Sequence, residues 1–111
     1  MLRLEDVHDG RVVLGTIDRP HRRNAVDHTT LVQLGDALDD AVARGCRAFV
    51  LTGTAGSFSA GADLTGVEGE DFTTALRRAL TLLADAPLVT IAAIDGHALG
   101  AGVQLASFSD L

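Results

Sequence analysis

Two stretches decide how this chain is read: Phe58-Ser59-Ala60-Gly61-Ala62-Asp63-Leu64 and, downstream, Gly96-His97-Ala98-Leu99-Gly100-Ala101-Gly102-Val103-Gln104. In each, a short apolar run gives way to a glycine-rich bend and then to a predicted helix. A helix start leaves backbone N–H groups without intrahelical acceptors, and its dipole favours negative charge there. Small residues let a ligand approach that backbone closely. Two such bends can aim bare N–H groups at one carbonyl oxygen. The same glycines also fit simple tight turns and helix caps.

Outward from these bends, the chain punctuates itself clearly. Leu2 to His8 and Arg11 to Asp18 read as strands joined at Asp9-Gly10, a two-residue hairpin signal. Arg19-Pro20 breaks the second strand, and a loop runs to Val26. Asp27 reads as an N-cap, followed by Leu31, Leu34, Leu38 and Val42 at helical spacing until Gly45. Ala48 to Thr52 is a short buried strand. A second helix starts near Asp71, read as its N-cap, and Pro87 ends it. Phe72, Ala75, Leu76, Ala79, Leu80 and Leu83 form its apolar stripe, with Arg77 and Arg78 assigned to solvent. Leu88 to Asp95 is a continuous apolar run, as expected for a strand covered on both faces. A last helix, Gly100 to Phe108, is expected to leave Val103, Leu105 and Phe108 partly exposed. The strand–bend–helix order, used twice, implies parallel strands with right-handed crossovers.

Length and composition bound the function. The 111 residues make one domain at most, burying roughly 65% of the unfolded chain's surface if it folds alone. Apolar residues are 47% and aromatics 4%, so the core is built from Leu, Val, Ile and Ala. A net charge of −6 argues against nucleic acid or an anionic membrane as partner. All nine basic residues are Arg, which excludes a Schiff-base or P-loop lysine. Cys46 is the only cysteine and reads as inert packing in a reducing compartment. The start, Met1-Leu2-Arg3-Leu4-Glu5-Asp6, does not resemble a signal peptide. The run Leu88 to Ile94 falls well short of the ~18 residues that span a bilayer. A soluble, cytoplasmic protein is expected.

Other chemistries fail on spacing. Leu105 stands where a dinucleotide fingerprint needs its third glycine, and no Gly-x-Ser-x-Gly or HExxH occurs. His8, His21, His28 and His97 lack metal-ligand spacing, so no metal is expected. Glu68, Glu70, Asp71 and Asp95 sit at bends or helix starts, where capping and solvation account for them.

Three motifs, Arg19-Pro20-His21-Arg22-Arg23-Asn24-Ala25, Ala60-Gly61-Ala62-Asp63-Leu64 and Gly96-His97-Ala98-Leu99-Gly100-Ala101-Gly102, stand in an order and spacing that resemble the crotonase (enoyl-CoA hydratase/isomerase) superfamily. Ala48-Phe49-Val50-Leu51-Thr52-Gly53 is similar to the strand before that family's first oxyanion loop. The resemblance implies an α/β fold, the N-terminal part of a crotonase-like ββα spiral with about five strands and three helices, and residues 1–111 as a partial domain of that kind. It implies acyl-CoA as ligand, with no cofactor beyond the coenzyme A thioester itself, and a homo-oligomer, trimer or hexamer. By the same resemblance the N–H groups of Ala62 and Ala101 meet the thioester oxygen. Ala60, Gly61, Asp63, Leu64 and Gly100 line the coenzyme A groove, and Arg22 and Arg23 face its phosphates. Two arginines on a polar loop equally fit plain solvation, and Asp63 also reads as a cap for the following helix.

Gln104 departs from the family pattern. Hydratases of the family carry a glutamate there, with a second glutamate in a segment corresponding to positions past Leu111. An amide exchanges no proton near neutral pH, so Gln104 is no general acid or base, though it can hydrogen-bond a water or an acyl tail. This resembles family members that bind acyl-CoA without hydrating it. The expected function is therefore acyl-CoA binding in fatty-acid metabolism with little or no hydratase activity. The alternatives are one part of an active hydratase/isomerase-family enzyme, or a truncated assembly partner or non-functional fragment.

Overall fold

The computed structural model describes residues 1–54, 56–59, 61–63, 69–94, 96–98 and 101–110. Strands β1 (Leu2–Val7) and β2 (Val12–Ile17) form the expected hairpin. The connection is longer than the expected two residues, running from His8 to Arg11 beyond the Val7–Val12 pair, with positive φ at His8 (53°), Asp9 (60°) and Gly10 (76°) and the Arg11 amide donating to the His8 carbonyl. Strand β2 then pairs in parallel with β3 (Ala48–Gly53), and β3 with β5 (Val89–Ala92), in the order β1-β2-β3-β5.

Because β2, β3 and β5 succeed each other in one direction, right-handed crossovers place both intervening helices on the same face. Helix α1 (His28–Ala43) and helix α2 (Gly69–Asp85) pack together there. Register aligns Val13, Phe49 and Thr90 in one row, and Gly15, Leu51 and Ala92 in the next. Val13, Phe49 and Leu51 from these rows, with Leu31, Leu34, Leu38, Phe72, Ala79 and Leu83 from the helices, make the core. The Phe49 ring lies over Gly15, where a Cβ would come within 2.9 Å of it.

The Asp27 cap is formed: its carboxylate accepts the Thr30 amide at 2.8 Å. Burial raises the Asp27 pKa, but hydrogen bonds from Thr30 and the charge of Arg19 outweigh it and hold the carboxyl below its ordinary value. Gly45, at φ 74°, donates to the Val42 carbonyl and ends the helix as expected.

Several expectations need correction. Helix α2 begins at Gly69, so Asp71 lies inside the first turn beside Glu70 instead of capping it. Both acids favour the positive end of the helix dipole from that position as well. Arg78 does not simply face solvent; it crosses to α1 and pairs with Asp36 (2.9 Å) and Asp39 (2.6 Å). Gly35 leaves room for it, since a Cβ there would lie 2.7 Å from the guanidinium. The run Leu88 to Asp95 supplies only a four-residue strand, paired with β3 alone among the described residues. Val89 and Ile94 are accordingly 44% and 51% exposed. On the same strand, the Asp110 carboxylate accepts the Thr90 amide at 2.9 Å, and the Asp110 amide donates to the Thr90 hydroxyl at 3.0 Å.

Neither glycine-rich bend is a bare loop. Each contains a very short strand, β4 (Ser57–Ser59) and β6 (His97–Ala98), and the two pair in parallel as a second sheet. Elements of two and three residues leave no period to read in a sequence. The last helix, α3 (Ala101–Phe108), packs on α2 and β4. Leu105 is fully buried there, contrary to expectation, whereas Phe108 is 45% exposed. The close fit depends on glycine: a Cβ on Gly102 would lie 2.7 Å from the Ser59 carbonyl oxygen and 2.8 Å from its Cβ.

Two outcomes follow from this packing. Gly102→Ala is expected to destabilise by about 1–3 kcal/mol, as overpacking against fixed backbone does. Gly69→Ala, with nothing within 4 Å of the new Cβ, should stay within about 0.5 kcal/mol of the parent; urea denaturation of both variants checks the contrast. Asp27→Ala should lose about 1 kcal/mol near neutrality. A depressed carboxyl stabilises the fold above its unfolded pKa and loses that contribution as pH falls through the folded value. The Asp27→Ala penalty should therefore shrink as pH falls below the ordinary carboxylate pKa, and an undiminished penalty in strong acid would contradict the assignment.

Candidate functional site

The site is built from a loop, two short strands and a helix start. Arg19 leads into a 3-10 turn, Pro20–Arg22, and Arg23 (φ 53°) and Asn24 (φ 59°) then reverse the chain in the left-handed region. Asparagine tolerates that conformation better than most residues. The Asn24 side chain is fully buried and fully used. Its amide nitrogen donates to the carbonyls of Thr54 (2.7 Å) and Ser57 (2.6 Å), and its oxygen accepts the Arg19 amide (2.8 Å). Gly53 makes space for it, since a Cβ there would meet the Asn24 nitrogen at 2.9 Å and the Ser57 carbonyl at 2.2 Å.

Val26 continues from this loop into an isolated parallel bridge with Ala62. The Val26 amide donates to the Gly61 carbonyl and the Asp63 amide donates to the Val26 carbonyl, both at 2.8 Å. Those two bonds consume the groups flanking Ala62. In an extended segment successive peptide groups alternate in direction, so the Ala62 N–H is turned to the side away from Val26. Ala62 is exposed there. Gly61, at φ 122°, adopts a backbone that side chains disfavour, and its amide is held by the buried Ser59 hydroxyl at 3.3 Å.

The second bend arrives at the same place. Ser59 of β4 pairs with Ala98 of β6, so Ala62 and Ala101 each lie three residues beyond a paired position. The two strands run in parallel about 4.8 Å apart, so both bends leave the small sheet from its same end. Ala101 is the first residue of α3, so its N–H has no intrahelical acceptor, and the helix dipole adds positive potential there.

Of the other expected site residues, Arg22 and Arg23 are exposed on the loop beside β4, the Arg23 carbonyl accepting the Ser57 hydroxyl at 3.1 Å. Ala60, Leu64 and Gly100 lie outside the described residues. The residues between Asp63 and Gly69, where the expected cap would form, lie outside the described residues. The Asp63 carboxylate pairs with Arg19 at 3.1 Å, because the bridge to Val26 carries it toward the loop. Gln104 is exposed and lies in a groove of about 280 Å³ with Leu76, Arg77 and Leu80 of α2 and Phe108 of α3. Among the described residues no group of His, Cys, Asp and Glu is arranged for a metal, and no helix is long and apolar enough to cross a membrane. Sequence reasoning gave Arg19, Asn24 and Ser59 no role at this site. Asn24 and Arg19 reach the Thr54 and Ser57 carbonyls and a carboxylate 44 positions away, which no local pattern marks, whereas Ser59 holds Gly61 two residues on.

Comparison with known proteins now places the geometry. The family model for enoyl-CoA hydratase/isomerase matches residues 8–111. The chain is 38% identical over 96 residues to a Mycobacterium bovis protein named probable enoyl-CoA hydratase, a match covering 86% of this chain and 40% of that protein. It is 38% identical over 108 residues to the 2,3-dehydroadipyl-CoA hydratase of Escherichia coli, covering 91% and 42%. The crystal structure of an enoyl-CoA hydratase/isomerase from Xanthobacter autotrophicus superposes with a TM-score of 0.84 at 29% identity, over 99% of this chain and 44% of that one. The chain thus spans less than half the length of the relatives it matches. With the family model matched over nearly the whole chain, the chain belongs to the enoyl-CoA hydratase/isomerase family, the crotonases, and corresponds to the N-terminal part of their domain.

Proposed function

We propose that this chain binds an acyl-CoA, with the thioester oxygen held between the backbone N–H groups of Ala62 and Ala101, and that it does not hydrate enoyl thioesters through position 104. The observation that supports the reading is the parallel pairing of β4 with β6, from whose same end both glycine-rich bends depart. An acyl thioester oxygen gains negative charge when the adjacent carbon is activated, and two preorganised donors are suited to it. Donors supplied by backbone keep this capacity with alanine at position 101. Arg22 and Arg23, exposed on the neighbouring loop, offer charge to the coenzyme phosphates. The groove that holds Gln104 offers a wall of Leu76, Leu80 and Phe108 to an apolar tail. Gln104 contributes hydrogen bonds and no proton transfer.

Two measurements test this. Crotonyl-CoA should bind about tenfold more tightly than an S-alkyl-CoA lacking the carbonyl, since two added hydrogen bonds are worth about 0.5–1.5 kcal/mol each. Equal affinities by titration calorimetry would overturn the thioester contact. Incubation with crotonyl-CoA should show no loss of enoyl absorbance above buffer, and hydratase-like turnover would overturn the reading of Gln104.

A further inference from the structure

The outward direction of the Ala62 N–H depends on a very short piece of pairing. The bridge of Gly61, Ala62 and Asp63 to Val26 consists of two hydrogen bonds and lies outside both sheets. So small a paired unit is not stable by itself in water. Something else must grip it, and one side chain touches both of its strands.

Arg19 is only 11% exposed at its side chain and Asp63 only 10%. The Arg19 Nη1 donates to the Ala25 carbonyl, one residue before Val26. Its Nη2 lies 3.1 Å from Asp63 Oδ2, one residue after Ala62. The same nitrogen is 3.7 Å from Asp27, the cap of α1. The backbone of Arg19 is locked in turn: its amide donates to Asn24 Oδ1 and its carbonyl accepts the Asn24 amide, both at 2.8 Å. The other acid–arginine contacts of the helices, at Arg44 and Arg78, involve exposed side chains and are screened by water and salt.

We propose that Arg19 is a positioning residue for the Ala62 amide, holding the two sides of the Val26–Ala62 bridge together through the Ala25 carbonyl and the Asp63 carboxylate at once. The inference rests on the thioester contact proposed above and extends it to the residue that aims the donor. A planar guanidinium can serve two acceptors in fixed directions, whereas a lysine ammonium is a point charge on a flexible stem. Arg19→Lys should therefore keep charge pairing with Asp63 and lose the simultaneous grip on Ala25.

The test is the ratio of affinities for crotonyl-CoA and for an S-alkyl-CoA without the carbonyl, measured on the full chain and on Arg19→Met and Arg19→Lys. A purely structural lesion lowers both affinities by one factor, through the folded fraction, and leaves the ratio unchanged. Loss of aim lowers the thioester affinity selectively, so the ratio should fall at least ~3-fold in either variant that circular dichroism shows to be folded. Arg19→Lys, the milder change, supplies the answer where Arg19→Met does not fold. A ratio retained in a folded variant overturns the role of Arg19 alone. A ratio near one in the unaltered chain overturns the thioester contact, and the positioning role with it.

Discussion

The Asn24 carboxamide is the contact on which the arrangement of the two bends depends. It ties the loop after β2 to the turn between β3 and β4 by way of the Thr54 and Ser57 carbonyls, and it fixes the backbone of Arg19. Each such bond nets only about 1 kcal/mol, but leaving a buried partner unsatisfied costs about 1–3 kcal/mol. The side chain is fully buried, and three backbone groups, the Arg19 amide and the Thr54 and Ser57 carbonyls, bond to it. A polar group so enclosed specifies one arrangement of the segments around it. The bridge of Val26 to Ala62 and the pairing of β4 with β6 start from the segments it holds.

Glycine makes the same arrangement sterically possible. Gly53 admits the Asn24 amide, Gly102 lets α3 rest on Ser59, and Gly96, at φ 85°, passes so near the Gly56 carbonyl that a Cβ would overlap it at 1.7 Å. These close approaches bring the glycine-rich segments within contact of their neighbours. In the proposed thioester contact only backbone amides act, so alanine at positions 62 and 101 is compatible with it.

The periphery is held together more loosely. Val89, Ile94 and Phe108 leave apolar surface near the β5 edge, and Leu4 is 53% exposed on β1 at the opposite edge. The ion pairs of Arg44 with Asp6 and Asp40, and of Arg78 with Asp36 and Asp39, lie at the surface. Exposed pairs of this kind usually contribute 0–1 kcal/mol, so the helix pair α1–α2 owes its cohesion to Leu31, Leu34, Phe72, Ala79 and Leu83.

The amino-acid sequence by itself determined the elements that carry strong local signals. The Asp9-Gly10 turn, the Asp27 cap, the Gly45 stop, the apolar stripes of α1 and α2 and the parallel order of β2, β3 and β5 were all legible, because capping, left-handed turns and hydrophobic periodicity act within a few residues. The glycine-rich motifs were legible too, and with them the family. Tertiary structure alone decided what those motifs are made of. Strands of two and three residues exist only because they pair with each other. Leu105 is buried because α3 lies on β4, and Arg78 is drawn to acids on another helix. A two-bond bridge carries Asp63 to Arg19, 44 residues earlier. Sequence proximity could not reveal that contact, since its geometry comes from the folded backbone that brings the two segments side by side.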